Sequence, residues 1–413
     1  MDPNGKQNSV TFLSQYFWPE QMATSELLSG IAFELFKQGF ILSALAGQPA
    51  YWKEGDEIPM RVEKDGVEVR RVKSSRLDKN TTLGRILNSA SFALSILFSS
   101  VFSKQPDLYI AVTNPPLLIW VTSFAKFLRG TRYILIIHDV YPEVAIALNR
   151  LNETSLISRL WRMLNRWSYR GAERIVVLGE CMADVVRRNI PQVEHDKVLV
   201  IPNWADGHKI HPIPRNNHPL LKEWKLEDKF VVQYSGNIGL FHEIETIVRA
   251  AEILKNNKSI HFLFIGEGGQ LPWLKEKVSE LNLTNISFQP FQAKERLHLS
   301  LTACDLAFVT LKNEVAGFCV PSKLYGVLAA GKPILGVVNA QTESARVIVS
   351  SHCGVVIKPG DYKGLAEIIE ELSGNPEKCR QFGVAARGIF EKEYTLNTIA
   401  SQYNNMLKDI GIV

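Results

Sequence analysis

Cysteine is scarce in this 413-residue chain. The five residues, Cys181, Cys304, Cys319, Cys353 and Cys379, are odd in number and form no CxxC pair. That pattern argues against a disulfide framework or a zinc cage and suits a reducing, cytoplasmic compartment. A long apolar run is missing as well. The stretch ILNSASFALSILFSSVF, from Ile86 to Phe102, carries no charge, but an Asn and five serines dilute it. A membrane-spanning helix needs about 20 predominantly apolar residues, so this segment is expected to be a buried or membrane-facing helix. The polar start, MDPNGKQNSV, has no apolar core of a signal peptide. Charge of one sign is also lacking. The net charge is +5, with 25 Lys and Arg against 21 Asp and Glu in residues 1–210 and 22 against 21 thereafter. This balance is too weak for a nucleic-acid partner, although it hints that the first half meets something acidic. Neither a dinucleotide GxGxxG fingerprint nor a convincing hydrolase-type carboxylate pair is present, and there is no solenoid repeat.

What is present is alternation. VTFLSQYF (10–17), FILSALAG (40–47), LYIAVT (108–113), RYILIIHD (132–139), RIVVLG (174–179) and KVLVIPN (197–203) are expected strands, with helical patterns such as MATSELLSGIAFELFKQG (22–39) between them. The stretch 205–228, with three prolines, three histidines and no long apolar run, reads as an interdomain linker rather than a metal site. FVVQYSG (230–236), IHFLFIG (260–266), ISFQPF (286–291), DLAFVTL (305–311), PILGVV (333–338) and GVVIKPG (354–360) then resume the rhythm. Strands alternating with helices imply two doubly wound α/β domains. The expected division is 1–205, a linker at 206–228, a second domain at 229–390, and a tail helix at 391–413, with a crossing back to the first domain open to it.

Three loops of the second domain follow strands whose carboxyl ends hold ligands in such sheets. YSGNIG (234–239) and IGEGG (265–269) offer Gly236, Gly239, Gly266, Gly268 and Gly269, whose missing Cβ atoms let a ligand approach the backbone amides. The third loop leads into VPSKLYGVLAAGKPIL (320–335), where Pro321 and Ser322 open a helix, Lys323 sits in its first turn and Gly331 ends it. Any one such loop has a structural explanation. Three on one edge point to a nucleotide site.

Together YSGNIG, IGEG and PSKLYGVLAAGKP, with YFWPE (16–20), HDVYPE (138–143), LGECMADVV (178–186) and IPNWAD (201–206), resemble the retaining glycosyltransferases of family 4, in particular the colanic-acid-biosynthesis type. The likeness spans about residues 10–405. It implies a glycosyltransferase-B fold, with two Rossmann-like domains facing a cleft. The C-terminal domain takes a UDP- or GDP-linked sugar, and the N-terminal one takes a saccharide or polyprenyl-linked acceptor in cell-surface polysaccharide synthesis. No metal or further cofactor is implied. By the same resemblance Gly236, Asn237, Gly239, Gly266, Gly268, Pro321, Ser322 and Lys323 meet the donor diphosphate. His138 contacts the donor sugar, or else simply caps a strand end, and Glu20 lies on an acceptor loop. Asp139 and Glu143 bind acceptor hydroxyls or cap the next helix.

The chain departs from the family pattern in the acceptor loop around Glu20, which lacks the usual glycine pair, and at four positions of the second domain. Asn237 and His242 stand where an Arg and a Lys are common, and Phe318 and Gly326 where two Glu are common. Lys323 is expected to supply the missing positive charge, and Glu314 is a substitute for the sugar-binding carboxylate. Retention implies that the leaving phosphate itself deprotonates the acceptor. A UDP-sugar 2-epimerase of the same architecture and a non-catalytic nucleotide-sugar- or polysaccharide-binding protein are the competing classes.

SLISRLWRMLNRWSYRGAER (155–174) places arginines at 159, 162, 166, 170 and 174 along one helical face, with Leu156, Leu160, Trp161, Leu164 and Trp167 on another. With 86–102, it is expected to meet an anionic membrane surface, as a peripheral protein on the inner face of the plasma membrane.

Overall fold

Runs such as ILII and IVV have no polar alternation, which suits strands covered on both faces. The computed structural model describes residues 8–20, 22–48, 59–75, 77 and 82–413. The chain forms two units: residues 1–203 with 396–413, and residues 204–395.

The first unit holds strands β1 (Ser9–Ser14), β2 (Ile41–Ala46), β3 (Arg61–Lys64), β4 (Val67–Arg71), β5 (Leu108–Val112), β6 (Arg132–Ile137), β7 (Arg174–Val177) and β8 (Val198–Val200). Their order is β3-β4-β2-β1-β5-β6-β7-β8, parallel throughout except that β3 runs antiparallel to β4. From β1 the chain moves towards β2. From β5 it moves the other way, so the strand order reverses between β1 and β5. Crossovers, right-handed by the usual rule for parallel strands, carry the helices Thr82–Phe102, Leu118–Arg129 and Leu156–Gly171 over one face of the sheet. The helix Ala23–Lys37 covers the other face and packs against the last helix, Leu396–Asp409. Ile399, Tyr403 and Leu407 of that last helix are buried, and Asn8 bonds the Gly411 carbonyl at 3.1 Å. The tail therefore belongs to the first unit.

The hairpin β3–β4 is an element that apolar runs do not reveal. Its strands are charged, and its turn, Asp65-Gly66, has φ of 48° and 80°, the left-handed pair that tight hairpins use.

The second unit holds β9 (Phe230–Ser235), β10 (Ile260–Ile265), β11 (Ile286–Gln289), β12 (Leu306–Thr310), β13 (Ile334–Val337) and β14 (Gly354–Ile357), in the order β11-β10-β9-β12-β13-β14 and all parallel. Alternate residues feed two cores. Val231, Leu263, Ala307 and Val309 face Leu220, Leu328 and Phe390. Val232, Tyr234, Phe264 and Phe308 face Ile247, Leu365 and Ile369.

The segment 206–228 is not the solvated linker expected. It is folded into the second unit: Ile210, Leu220, Leu221 and Leu226 join the core, and buried His218 bonds Thr302 Oγ1 at 3.0 Å. A few scattered apolar anchors suffice where no long run exists. The chain passes between units at 203–204 and 395–396, and these two stretches pair through a bridge between Ala205 and Thr395.

Candidate active site

In the second unit the strand order reverses between β9 and β12, and ligands of such sheets sit outside the carboxyl ends at that point. Three loops meet there. The 236–242 loop leaves β9 and stacks on the 266–270 loop that leaves β10. Gly236 N–H donates to the Ile265 carbonyl at 2.8 Å, Ile238 N–H to Glu267 at 2.7 Å, and Gln270 N–H to Ile238 at 3.0 Å. The Gln270 side chain adds bonds to the carbonyls of Gly239 (2.6 Å) and His242 (3.0 Å). The loop after β12 is tied in by Lys312 N–H to the Phe241 carbonyl at 2.8 Å.

This stacking corrects the expected role of two glycines. Gly236 and Gly266 do not hold out free amides, because Gly266 N–H is also engaged, by the Gln289 carbonyl at 2.9 Å. Their glycine character serves packing. A Cβ on Gly266, where φ is +130°, would lie 2.2 Å from the Gly236 oxygen, and one on Gly236 would lie 2.8 Å from Lys323 Cε. Among the described residues, the amides of Asn237, Gly239, Gly268 and Gly269 have no hydrogen-bond partner. These are the main-chain donors left for an anion.

Lys323 opens the helix Lys323–Ala329 and reaches back over the β9 loop. Its ammonium lies 3.7 Å from the centre of the Tyr234 ring and donates to the Tyr234 hydroxyl, to the Asn237 carbonyl at 2.9 Å, and to His242 Nε2 at 3.4 Å. The histidine's tautomer follows from its other bond. Nδ1 is 2.8 Å from the Thr310 carbonyl, which only accepts, so Nδ1 carries the proton and Nε2 presents a lone pair. Burial, reinforced by the Lys323 charge, pushes the His242 pKa down to about 3, so the ring stays neutral. Burial also pulls Lys323 well below the usual lysine range. No carboxylate forms an ion pair with it among the described residues. The result is a half-buried lysine held by neutral acceptors, beside free amides. A lysine with no carboxylate partner beside free amides is electrostatically suited to an anion.

Pro321 is buried, and its carbonyl accepts from Leu324 N–H at 3.2 Å. Ser322 is exposed and its hydroxyl makes no capping bond, contrary to the cap expected of it. Glu314 is exposed on the 313–315 turn after β12, at the same edge of the sheet. Phe318 and Gly326 leave no carboxylate at their positions. Sequence reasoning gave no role to Tyr234, which floors the ammonium, to Thr310, which sets the His242 tautomer, or to Gln270, which clamps the loops. The tyrosine of YSG was the one available signal.

In the first unit, His138 and Asp139 follow β6, and both backbone amides point at Thr113 Oγ1, at 3.0 and 3.4 Å. Neither side chain has a hydrogen-bond partner among the described residues. Burial pushes His138 down to about 4 and Asp139 up to about 6. Unpartnered ionisable groups at a strand's carboxyl end are poised for a ligand. Glu143 is already engaged: it pairs with Arg162 at 3.1 Å. Glu20 is buried beside Arg71, whose guanidinium bonds the carbonyls of Trp18 (2.7 Å) and Gly47 (2.9 Å). That pairing gives Glu20 a structural role in its loop.

The sequence and the fold find counterparts among known proteins. Residues 220–388 match the family described as glycosyl transferases group 1, and residues 31–204 match the glycosyl transferase 4-like domain. A Pseudomonas aeruginosa protein named as glycosyltransferase WbjE is 32% identical over 327 residues, 78% of this chain and 80% of its own length. WcaI of Escherichia coli, named as a colanic acid biosynthesis glycosyl transferase, is 25% identical across 93% of this chain and 95% of its own. Among solved structures, sucrose-phosphate synthase from Thermosynechococcus elongatus superposes with a TM-score of 0.76 at 15% identity, covering 98% of this chain and 99% of that one. Anabaena HepE, solved with UDP and glucose, gives 0.74 at 17% identity over 98% of this chain and all of the other. Two parallel-sheet units with these matches make the chain a member of the family-4-type glycosyltransferases of glycosyltransferase-B fold.

Proposed function

We propose that the protein is a retaining hexosyltransferase that moves a sugar from UDP or GDP to a saccharide or polyprenyl-linked saccharide in cell-surface polysaccharide synthesis. The observation that carries this reading is the Lys323 ammonium, half-buried among neutral acceptors beside the unpartnered amides of Asn237, Gly239, Gly268 and Gly269. HepE, the neighbour solved with UDP-glucose, supports the donor class.

As the bond between the anomeric carbon and the phosphate oxygen breaks, negative charge grows on the leaving diphosphate. Lys323 and the amides are fixed before the reaction and stabilise that charge without reorganising. The acceptor oxygen bonds to the anomeric carbon on the face the phosphate leaves, and its proton passes to the departing phosphate oxygen. No protein nucleophile is needed. Glu314 is assigned to sugar hydroxyls, His138 to the transferred sugar, and Asp139 to an acceptor hydroxyl. Lys323 does the work of the cations that Asn237 and His242 lack, and His242 contributes a neutral acceptor that orients it.

Thermal-shift measurements with UDP, GDP, ADP and CMP test the reading. One nucleoside diphosphate should stabilise the protein. In Lys323→Ala its affinity should drop by about 10- to 100-fold, the worth of a charge-assisted bond. A variant that responds like the wild type would remove Lys323 from the site.

A further inference from the structure

One outer face of the first unit has a composition that an aqueous surface does not call for. The helices Thr82–Phe102, Leu118–Arg129 and Leu156–Gly171 lie side by side over the sheet, the middle one touching both others. Their sequences contain seven Lys and Arg and not one Asp or Glu. Solvated helices normally mix both signs.

The apolar residues on this face fall in two classes. On Thr82–Phe102, Phe92 and Ile96 are fully buried against the sheet, while Leu94, Phe98 and Phe102 point out at 66%, 67% and 73% exposure. Phe98 and Phe102 lie 4.5 Å apart, centre to centre. The middle helix adds Phe124, Phe127 and Leu128, all exposed, and Phe124 meets Trp167 of the third helix at 5.0 Å. On Leu156–Gly171, exposed Leu156, Leu160, Met163 and Trp167 repeat at spacings of 4, 3 and 4 and make one stripe. Soluble monomers rarely expose so many adjacent large apolar side chains.

The cations flank that stripe. Arg159, Arg166 and Arg170 stand on the adjoining strip of the same helix, all exposed, and Arg129 ends the middle helix. None of the four has a carboxylate partner among the described residues. Arg162 is different: it pairs with Glu143 and Glu153. Arg174 lies on β7 and bonds the Glu173 carbonyl. Both therefore leave the basic face expected from the sequence. Trp161 also turns away, packing between Trp120 and Tyr141 at 5.5 and 6.0 Å.

We propose that this three-helix face docks on an anionic lipid bilayer, its phenylalanines and leucines entering the interface and Arg129, Arg159, Arg166 and Arg170 meeting the headgroup phosphates. The charge pattern selects this occupant: the three helices carry no acid of their own, and although Lys126 pairs with Glu173 and Arg162 with Glu143 and Glu153, the four unpaired arginines beside the apolar stripe match an anionic interface and repel a second copy of this face. None of the described helices is long and apolar enough to cross a membrane, so the protein lies on it. The proposal does not depend on the donor-site reading.

Co-sedimentation of the whole protein with phosphatidylcholine vesicles, and with vesicles containing one quarter phosphatidylglycerol, tests it. Binding should require phosphatidylglycerol at 0.1 M NaCl and weaken at 1 M. Each arginine near such a surface is worth about fivefold, so R159S/R166S/R170S should weaken binding about a hundredfold. Phe98→Asp combined with Phe127→Asp should abolish it, with the unfolding temperature and nucleotide response unchanged. No binding to either vesicle, equal binding to both, or a dimer in sedimentation velocity that the double aspartate variant dissociates would overturn the proposal.

Discussion

A lysine and an aspartate, one in each unit, carry most of the chemical argument, and both are where folding alone would not put them. Lys323 spends its N–H groups on a phenol, a carbonyl and a neutral imidazole. Asp139 keeps a half-buried carboxyl without a hydrogen-bond partner among the described residues, and desolvation raises it to about 6. Raised above the unfolded value of 3.8, this carboxyl costs stability as pH climbs from 3.8 through 6, and the full cost remains above that. Asp139→Asn removes the cost. The variant should therefore be more stable than wild type by about 1–3 kcal/mol at pH 8 and equal to it near pH 3.5. If Asp139 holds an acceptor hydroxyl, the same variant should transfer sugar at least tenfold more slowly at pH 8. Denaturant melts at the two pH values, with a rate assay at the higher one, check both halves. A variant less stable at pH 8 would show that Asp139 has a favourable partner.

At the scale of elements, the doubly wound sheets were legible because strands buried on both faces leave uninterrupted runs such as ILII and FLFI. The hairpin β3–β4 was not, since its charged strands alternate, although Asp65-Gly66 marks the turn. Residues 206–228 misled for the opposite reason: their core contacts come from isolated residues, Ile210, Leu220, Leu221 and Leu226. The glycine loops were found, but their mutual stacking was not, because it joins residues some thirty positions apart with no periodic trace. That stacking changes what the glycines are for. Gly266→Ala forces a Cβ against the Gly236 oxygen at a φ of +130°, whereas a Cβ on Gly269 meets nothing closer than Leu240 Cδ2 at 4.0 Å. Gly266→Ala should cost about 1–3 kcal/mol and at least tenfold in nucleotide affinity. Gly269→Ala should leave the fold near wild type. Calorimetric melting and nucleotide titration of the pair separate a packing role from general loop tolerance; equal effects would argue against the stacked-loop account.

For the molecule as a whole, four histidines held neutral set the response to acid. Burial pushes His138 down to about 4 in the first unit, and His218 and His261 to about 4 and His242 to about 3 in the second. In each case the fold prefers the uncharged ring. Its contribution is complete above the unfolded value of 6.5 and is lost as pH falls towards the folded value. For His218, fully enclosed and bonded to Thr302, the loss between pH 7 and 5 is about 2 kcal/mol. Two groups act against this trend. Asp139 opposes it in the first unit, and Asp305, also raised by burial, opposes it in the second. The first unit thus sets one histidine against one aspartate, and the second sets three against one. Acidification from pH 7 to 5 should lower the unfolding transition of the second unit by several degrees and move that of the first much less. Scanning calorimetry at the two pH values resolves the transitions, and nucleotide addition at pH 7 assigns the one belonging to residues 204–395. His218→Gln, which removes one titrating ring but keeps a polar side chain, should flatten the pH dependence of that transition alone. An unchanged slope in the variant would mean that His218 protonates as readily folded as unfolded, and the burial argument for it would fail.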